Sequence, residues 1–245
     1  MRLFRLILLF FIFVLPVKAN TIYNLIKIPN LEIYELNTPN KLKYFYALRP
    51  FRLGTEKNIA CYNSDKKILE KKYQIIRKNL NKYSAEFLKK INLRYIVLCE
   101  DLSISGINTA GIPDNVMKTL ILDIKFDESY FERIIHHEIF HIINDSYKKN
   151  FNAAEWARFN HKDFKYAECS TCSNKLGLST YNNTNGFFTE YSKSTTSEDM
   201  AEVYSHIIFL TKKNINQIRK LDPILNNKIS YIEDKIKKID NSFIF

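Results

Sequence analysis

Apolar and polar positions along the chain change their period several times, and each change marks an element. Over residues 21–63 short β-prone runs such as Tyr44-Phe45-Tyr46-Ala47-Leu48 alternate with Pro, Asn and Gly breakers, which predicts strands joined by turns. Over 65–91 the apolar residues Leu69, Ile76, Leu80, Phe87 and Ile91 recur at helical spacing, with a break near Ser84. Two strongly β-prone runs follow, 93–99 and 118–124, separated by a loop carrying Gly106, Gly111 and Pro113. The second run leads into a helix on which Phe131, Ile135, Ile139 and Ile142 form an apolar stripe. Periodicity is lost over 150–190, where Asn, Ser, Thr and Gly accumulate. That predicts a long irregular excursion over the surface, and loops of this length are uncommon unless functional. Helix resumes near Thr195 and runs to about Thr211, and a final amphipathic helix covers about 223–238.

No internal repeat or low-complexity linker divides the chain, so residues 20–245 read as a single domain in two halves. The first half, to about 126, is β-rich and helical. The second, 127–245, is mainly helical. The fold class is α+β, a small mixed sheet followed by a helical C-terminal half. A chain of 245 residues with 46% hydrophobic and 14% aromatic residues can bury a sizeable core around that plan.

The N-terminus has a different purpose. Met1, Arg2 and Arg5 make a basic start, residues 6–15 are uninterrupted apolar, and Val17-Lys18-Ala19 offers small residues at cleavage spacing. This predicts a signal peptide over 1–19 and export to the periplasm or medium. The ten-residue apolar run is too short to span a bilayer comfortably, and no cysteine follows the cut, so no stable membrane anchor is expected. Removing Arg2, Arg5 and Lys18 with that segment leaves 34 basic and 26 acidic residues, a charge of +8. Pairs such as Lys66-Lys67, Lys71-Lys72 and Lys89-Lys90 fall on predicted helices as solvated faces, and no RNA-binding signature or cysteine-histidine finger is present. Nucleic acid is therefore not an expected partner.

Four cysteines in an exported chain permit two disulfides, in three connectivities that sequence alone does not resolve. Cys169 and Cys172 are the natural local pair, which leaves Cys61 with Cys99. Reduced thiols and a structural metal site rank lower, since there is no second C-x-x-C.

The chemistry concentrates on His137-Glu138-Ile139-Phe140-His141. Residues four apart on a helix lie about 40° apart around the axis and about 6 Å along it, so His137 and His141 can bind one ion together. Glu138 flanks that ion and can hold the attacking water. His136 points away and reads as a structural or solvated residue rather than a ligand. A catalytic zinc site needs a third protein ligand and an open position for water. No histidine stands five or six residues beyond His141. Glu198 and Glu202, one turn apart on a downstream helix, are the candidates; the plainer role for Glu198 is a helix-start acid capping with Thr195.

On these residues the sequence resembles the gluzincins related to the catalytic domain of anthrax lethal factor and the clostridial proline-proline endopeptidases. The resemblance covers roughly residues 103–209. It rests on H-E-x-x-H, on an E-x-x-x-E helix preceded by a tyrosine seven residues upstream (Tyr191, Glu198, Glu202), and on the aromatic-rich segment Trp156 to Phe164 and Tyr166. It implies a zincin-like domain with Glu198 as third zinc ligand, Tyr191 as donor to the oxyanion, and Glu202 steadying a histidine ligand. The chain departs from its relatives at Ile139-Phe140, where several have Phe-Gly, and in carrying Cys169 and Cys172; both departures bear on substrate access.

The expected reaction is peptide-bond hydrolysis with one catalytic Zn2+, Glu138 as general base and Tyr191 as oxyanion donor. The expected partner is a peptide or protein substrate lying extended along an edge strand, with 118–124 either the candidate edge or an ordinary core strand, and the chain is expected to act as a monomer. Two other readings compete: a zinc-binding, toxin-like module that docks to a partner without proteolysis, and a cell-envelope amidase. Glu138 argues against the first, because binding zinc does not require it.

Overall fold

The computed structural model describes residue 28 and residues 30–54, 56–171 and 176–245. The signal segment 1–19 and Cys172 lie outside the described residues. Strand β5 (Tyr95–Ile104) organises the sheet. Its first half lies between β2 (Lys43–Ala47) and β8 (Thr119–Asp123), both parallel to it. Its second half lies between β4 (Ile59–Tyr62) and β6 (Ile107–Asn108), both antiparallel. The antiparallel strands β1 (Leu31–Glu35), β3 (Phe51–Leu53) and β7 (Gly111–Asp114) pair with β2, β4 and β8 respectively.

This pairing decides between the two readings of 118–124 in favour of the core strand. β8 is hydrogen-bonded on both sides and buried at all five residues, so it is an interior strand. Its unbroken apolar run Leu120-Ile121-Leu122 belongs to a parallel strand covered on both faces. The edge is β7, formed by residues expected to be loop. Pro113, which has no N–H to give to a ladder, is at home on such an edge. The turn between β5 and β6 places Ser105 at φ 51° and Gly106 at φ 81°, the left-handed pair of a tight hairpin.

Alternation along the strands splits the core. Ile96, Leu98, Leu120 and Leu122 face the helices, whereas Val97, Cys99 and Ile121 face a smaller cluster with Phe51 and Cys61. In that cluster Cys61 and Cys99 form a disulfide with their Cα atoms 5.9 Å apart, joining β4 to β5.

The predicted helix over 65–91 is two helices, α1 (Lys66–Leu80) and α2 (Ala85–Lys90); the break falls where Ser84 Oγ caps α2 by accepting from the Phe87 N–H. α3 (Glu128–Ser146) buries Phe131, Ile135, Ile139 and Ile142 in the main core and packs against α5 (Thr196–Phe209). α6 (Lys212–Leu221), which was not anticipated, precedes α7 (Pro223–Ile239). Seven of its ten residues are charged or amide-bearing, and it buries only Ile215.

The stretch from 150 to 190 contains α4 (Ala153–Ala157) and, beyond it, no further helix or strand among the described residues. It does not merely cross the surface. Trp156 is fully buried, and its Nε1 and the Tyr166 hydroxyl both donate to Asp199 Oδ2, at 2.8 and 2.6 Å. Lys228 of α7 reaches the same oxygen at 2.6 Å and the Gly186 carbonyl at 2.7 Å. The irregular segment is thus pinned to α5 and α7, beside Glu198. Among the described residues no helix is long and apolar enough to cross a membrane.

Candidate metal centre

α3 and α5 bring three ligand-type atoms to one point. His137 Nε2 lies 3.1 Å from His141 Nε2, and Glu198 Oε2 lies 3.0 and 3.2 Å from them. Ligands held about 2.1 Å from a tetrahedral ion stand about 3.4 Å apart, so this nearly equilateral triangle is close to what one zinc ion requires. Two imidazole nitrogens aimed at each other and at one carboxylate oxygen are a poor hydrogen-bond arrangement but a good donor set for a cation. Among the described residues this is the one His/Cys/Asp/Glu group that could hold a metal ion. The capping alternative for Glu198 also holds: its backbone N–H donates to Thr195 Oγ1 at 3.2 Å while its carboxylate reaches across to α3.

Behind the histidines lies a buried ion pair that the sequence did not announce. Glu202 Oε1 faces His137 Nδ1 at 2.9 Å, and both Glu202 oxygens accept from Arg133 Nη1, at 2.6 and 2.5 Å. Thr189 Oγ1 donates to Glu202 Oε2 at 2.8 Å. A carboxylate accepting from His137 Nδ1 orients the ring so that Nε2 faces the centre. Burial would raise the Glu202 pKa, but the Arg133 charge and the His137 hydrogen bond lower it to about 2. Burial likewise opposes charge on His137, yet its hydrogen bonds to Glu198 and Glu202 raise its pKa to about 10 in the metal-free chain.

Glu138 follows His137 on α3 and is itself buried. Burial pushes its carboxyl upward, partly offset by His137 and His141. With Tyr191 it lines a cavity of about 300 Å³ whose apolar wall includes Ile104, Ile107, Ile134, Leu176 and Leu178. The Tyr191 ring stands 5.9 Å from that of His137, and its hydroxyl pKa is raised by burial and then by the nearby charges of Glu198 and Glu138. Ile139 and Phe140 are fully buried away from this cavity, Phe140 against Phe151 and Tyr204, so that departure from the relatives is a matter of core packing.

His136 is a structural residue. Fully buried, it accepts from the Tyr83 hydroxyl at 2.7 Å on Nδ1 and donates to Asn79 Oδ1 at 3.1 Å from Nε2. His206 lies flat against Phe188 and bonds the Glu202 carbonyl through Nδ1 at 2.7 Å.

Fold and site together define a mixed α+β protein with a candidate His-His-Glu metal centre between two packed helices, open to a cleft. The chain belongs to the family described as "Putative zinc-binding metallo-peptidase", whose model matches residues 72–241 and so contains every residue of the centre. A crystal structure described as "a putative zinc-binding metallo-peptidase from Bacteroides caccae ATCC 43185" is similar in fold, with a TM-score of 0.53 at 18% identity over 82% of this chain and 80% of that one. A search of curated proteins finds no match. The family makes zinc the metal to test at the centre and peptide hydrolysis the reaction class.

Proposed function

We propose that the protein is an exported zinc metallopeptidase of gluzincin type, with His137, His141 and Glu198 as metal ligands, Glu138 as general base and Tyr191 as oxyanion donor. The convergence of His137 Nε2, His141 Nε2 and Glu198 Oε2 within hydrogen-bonding distance of one another, with Glu138 beside them in a cleft, carries this reading. Zinc, when bound, supplies a Lewis acid and lowers the pKa of a bound water toward about 7. Glu138 takes the proton of the attacking water and delivers it to the leaving amine, a task suited to a carboxyl whose proton affinity is raised by burial. Tyr191 donates its hydroxyl hydrogen to the developing oxyanion; a raised pKa keeps that hydrogen in place at neutral pH.

The substrate is a peptide lying extended along β7, the free edge next to the centre. The apolar cavity wall favours an apolar side chain next to the scissile bond. The Cys61–Cys99 disulfide suits export to an oxidising compartment.

A peptide-library digest with a Glu138→Ala control tests the proposal. Zinc-dependent cleavage that disappears in the variant supports it. Cleavage of envelope amides but no peptide would favour an amidase, and tight zinc binding with neither activity would favour a docking module.

A further inference from the structure

We propose that Arg133 is a positioning residue that sets the metal affinity and the shape of the substrate cleft at the same time. The inference rests on the reading of His137, His141 and Glu198 as a zinc site. Arg133 stands one turn before His137 on α3 and is only 4% exposed. Its Nη1 holds both Glu202 oxygens, at 2.6 and 2.5 Å, and its Nη2 donates to the Leu178 carbonyl at 2.7 Å. Glu202 in turn meets His137 Nδ1, and Leu178 is part of the cavity wall. One guanidinium therefore ties together the helix of the two histidines, the helix of the third ligand and the irregular segment that walls the cleft.

The chemistry of the side chain explains why it is arginine. The planar fork offers donors on two separate nitrogens, so it can satisfy a carboxylate and a carbonyl in different directions. A lysine presents one compact charge and cannot span both with the same geometry. A buried ion pair is by itself a weak source of stability, because desolvation offsets most of the attraction. Here its partners are the carboxylate that orients a metal ligand and the backbone of the cleft wall. Loss of the fork leaves the Glu202 carboxylate with the weaker hold of the Thr189 hydroxyl on Oε2, which loosens the His137 ring, and it releases the backbone at Leu178.

The test uses the full mature chain and the variants Arg133→Met, Arg133→Lys and Glu202→Gln, with zinc affinity read by competition against a chromogenic chelator. Arg133→Lys should weaken zinc binding by roughly ten- to a hundredfold, the usual effect of losing a partner behind a metal ligand. At saturating zinc it should also raise KM for a cleaved peptide more than it lowers kcat. Because Arg133 acts through Glu202, the double variant Arg133→Lys with Glu202→Gln should lose less affinity than the two single losses combined. Should Arg133→Met fail to fold, Arg133→Lys and the double variant still decide. A folded Arg133→Lys protein with zinc affinity and KM within twofold of wild type overturns the inference, as does full additivity in the double variant. Wild-type protein that binds no zinc would instead overturn the metal-centre reading on which the inference rests.

Discussion

Gly111 on the edge strand β7 and Glu138 on α3 are in such close approach that a Cβ on Gly111 would stand 2.6 Å from Glu138 Cγ and 3.0 Å from its carboxyl carbon. No real Cβ contact is that short, so either the carboxylate or the strand must move if the glycine is replaced. Gly111→Ala is expected to lower kcat by at least tenfold, since a displacement of the order of 1 Å at a reacting group costs about that much or more. Zinc content should be unchanged. Kinetics on a cleaved peptide alongside metal analysis checks it, and an Ala variant with wild-type kcat would show that Glu138 does not need its present position.

The mature protein is expected to hold about one zinc per chain, because three protein ligands and an open position make the catalytic pattern. His141→Ala should abolish stoichiometric binding. Metal analysis after dialysis against a weak chelator is the check, and full occupancy in the variant would remove His141 from the ligand set.

Tyr191→Phe should reduce kcat and kcat/KM together by roughly ten- to a thousandfold, because an oxyanion donor acts mainly in the transition state. Zinc occupancy should not change. If the ring serves only to pack near His137, turnover will stay within a few-fold of wild type.

Cys169 is disulfide-bonded, and Cys172 lies outside the described residues. The expected pairing is Cys169 with Cys172, the two being separated by only two residues. Non-reducing peptide mapping of exported protein will return them in one linked fragment; free thiols at both positions would refute the pairing.

Metal-free protein should lose stability on both sides of about pH 6.5. Burial and the nearby Arg133 charge lower the His206 pKa from 6.5 to about 3, so the unfolded chain binds the proton first and stability falls as pH drops from about 6.5 toward about 3. Protonation of Glu202, from its unfolded value of 4.5 down to about 2, adds to the loss. His137 runs the other way: its pKa rises from 6.5 to about 10, so its contribution is complete below about 6.5 and is lost as pH climbs toward about 10. Melting temperatures across pH should trace this dome. His206→Gln should flatten its acid side, and saturating zinc, which takes His137 as a neutral ligand, should remove its alkaline side. An unaltered acid limb in His206→Gln would rule out that histidine as the cause.

What could be read from the chain alone is what local geometry determines. His137 and His141 share a helix face because of a period of 3.6 residues, and the break at Ser84 and the start of α5 at Thr195 follow from side chains that cap their own helices. Glu198 is legible in the chain only as one of two candidate glutamates, since an acid three residues after a threonine is more plainly a cap, and Tyr191 only through resemblance. Arg133 gave no signal at all. Its partner is 69 residues away, and a lone arginine on a helix next to apolar neighbours reads as a surface residue whose stem packs on the core.

The sequence by itself determined the longer apolar strands and helices, though not β7 or α6, and the half of the metal centre that lies within one helix, because hydrophobic period, capping and i to i+4 spacing act over a few residues. Only the tertiary structure decided which strand is the edge, what stands behind His137 and what walls the cleft. β8 became interior when β7 paired beside it, Glu202 met His137 when α5 packed on α3, and Leu178 was fixed when Arg133 reached its carbonyl. Each of these is a contact between segments distant in the chain, selected by burial and hydrogen-bond satisfaction across the whole fold rather than by any local preference.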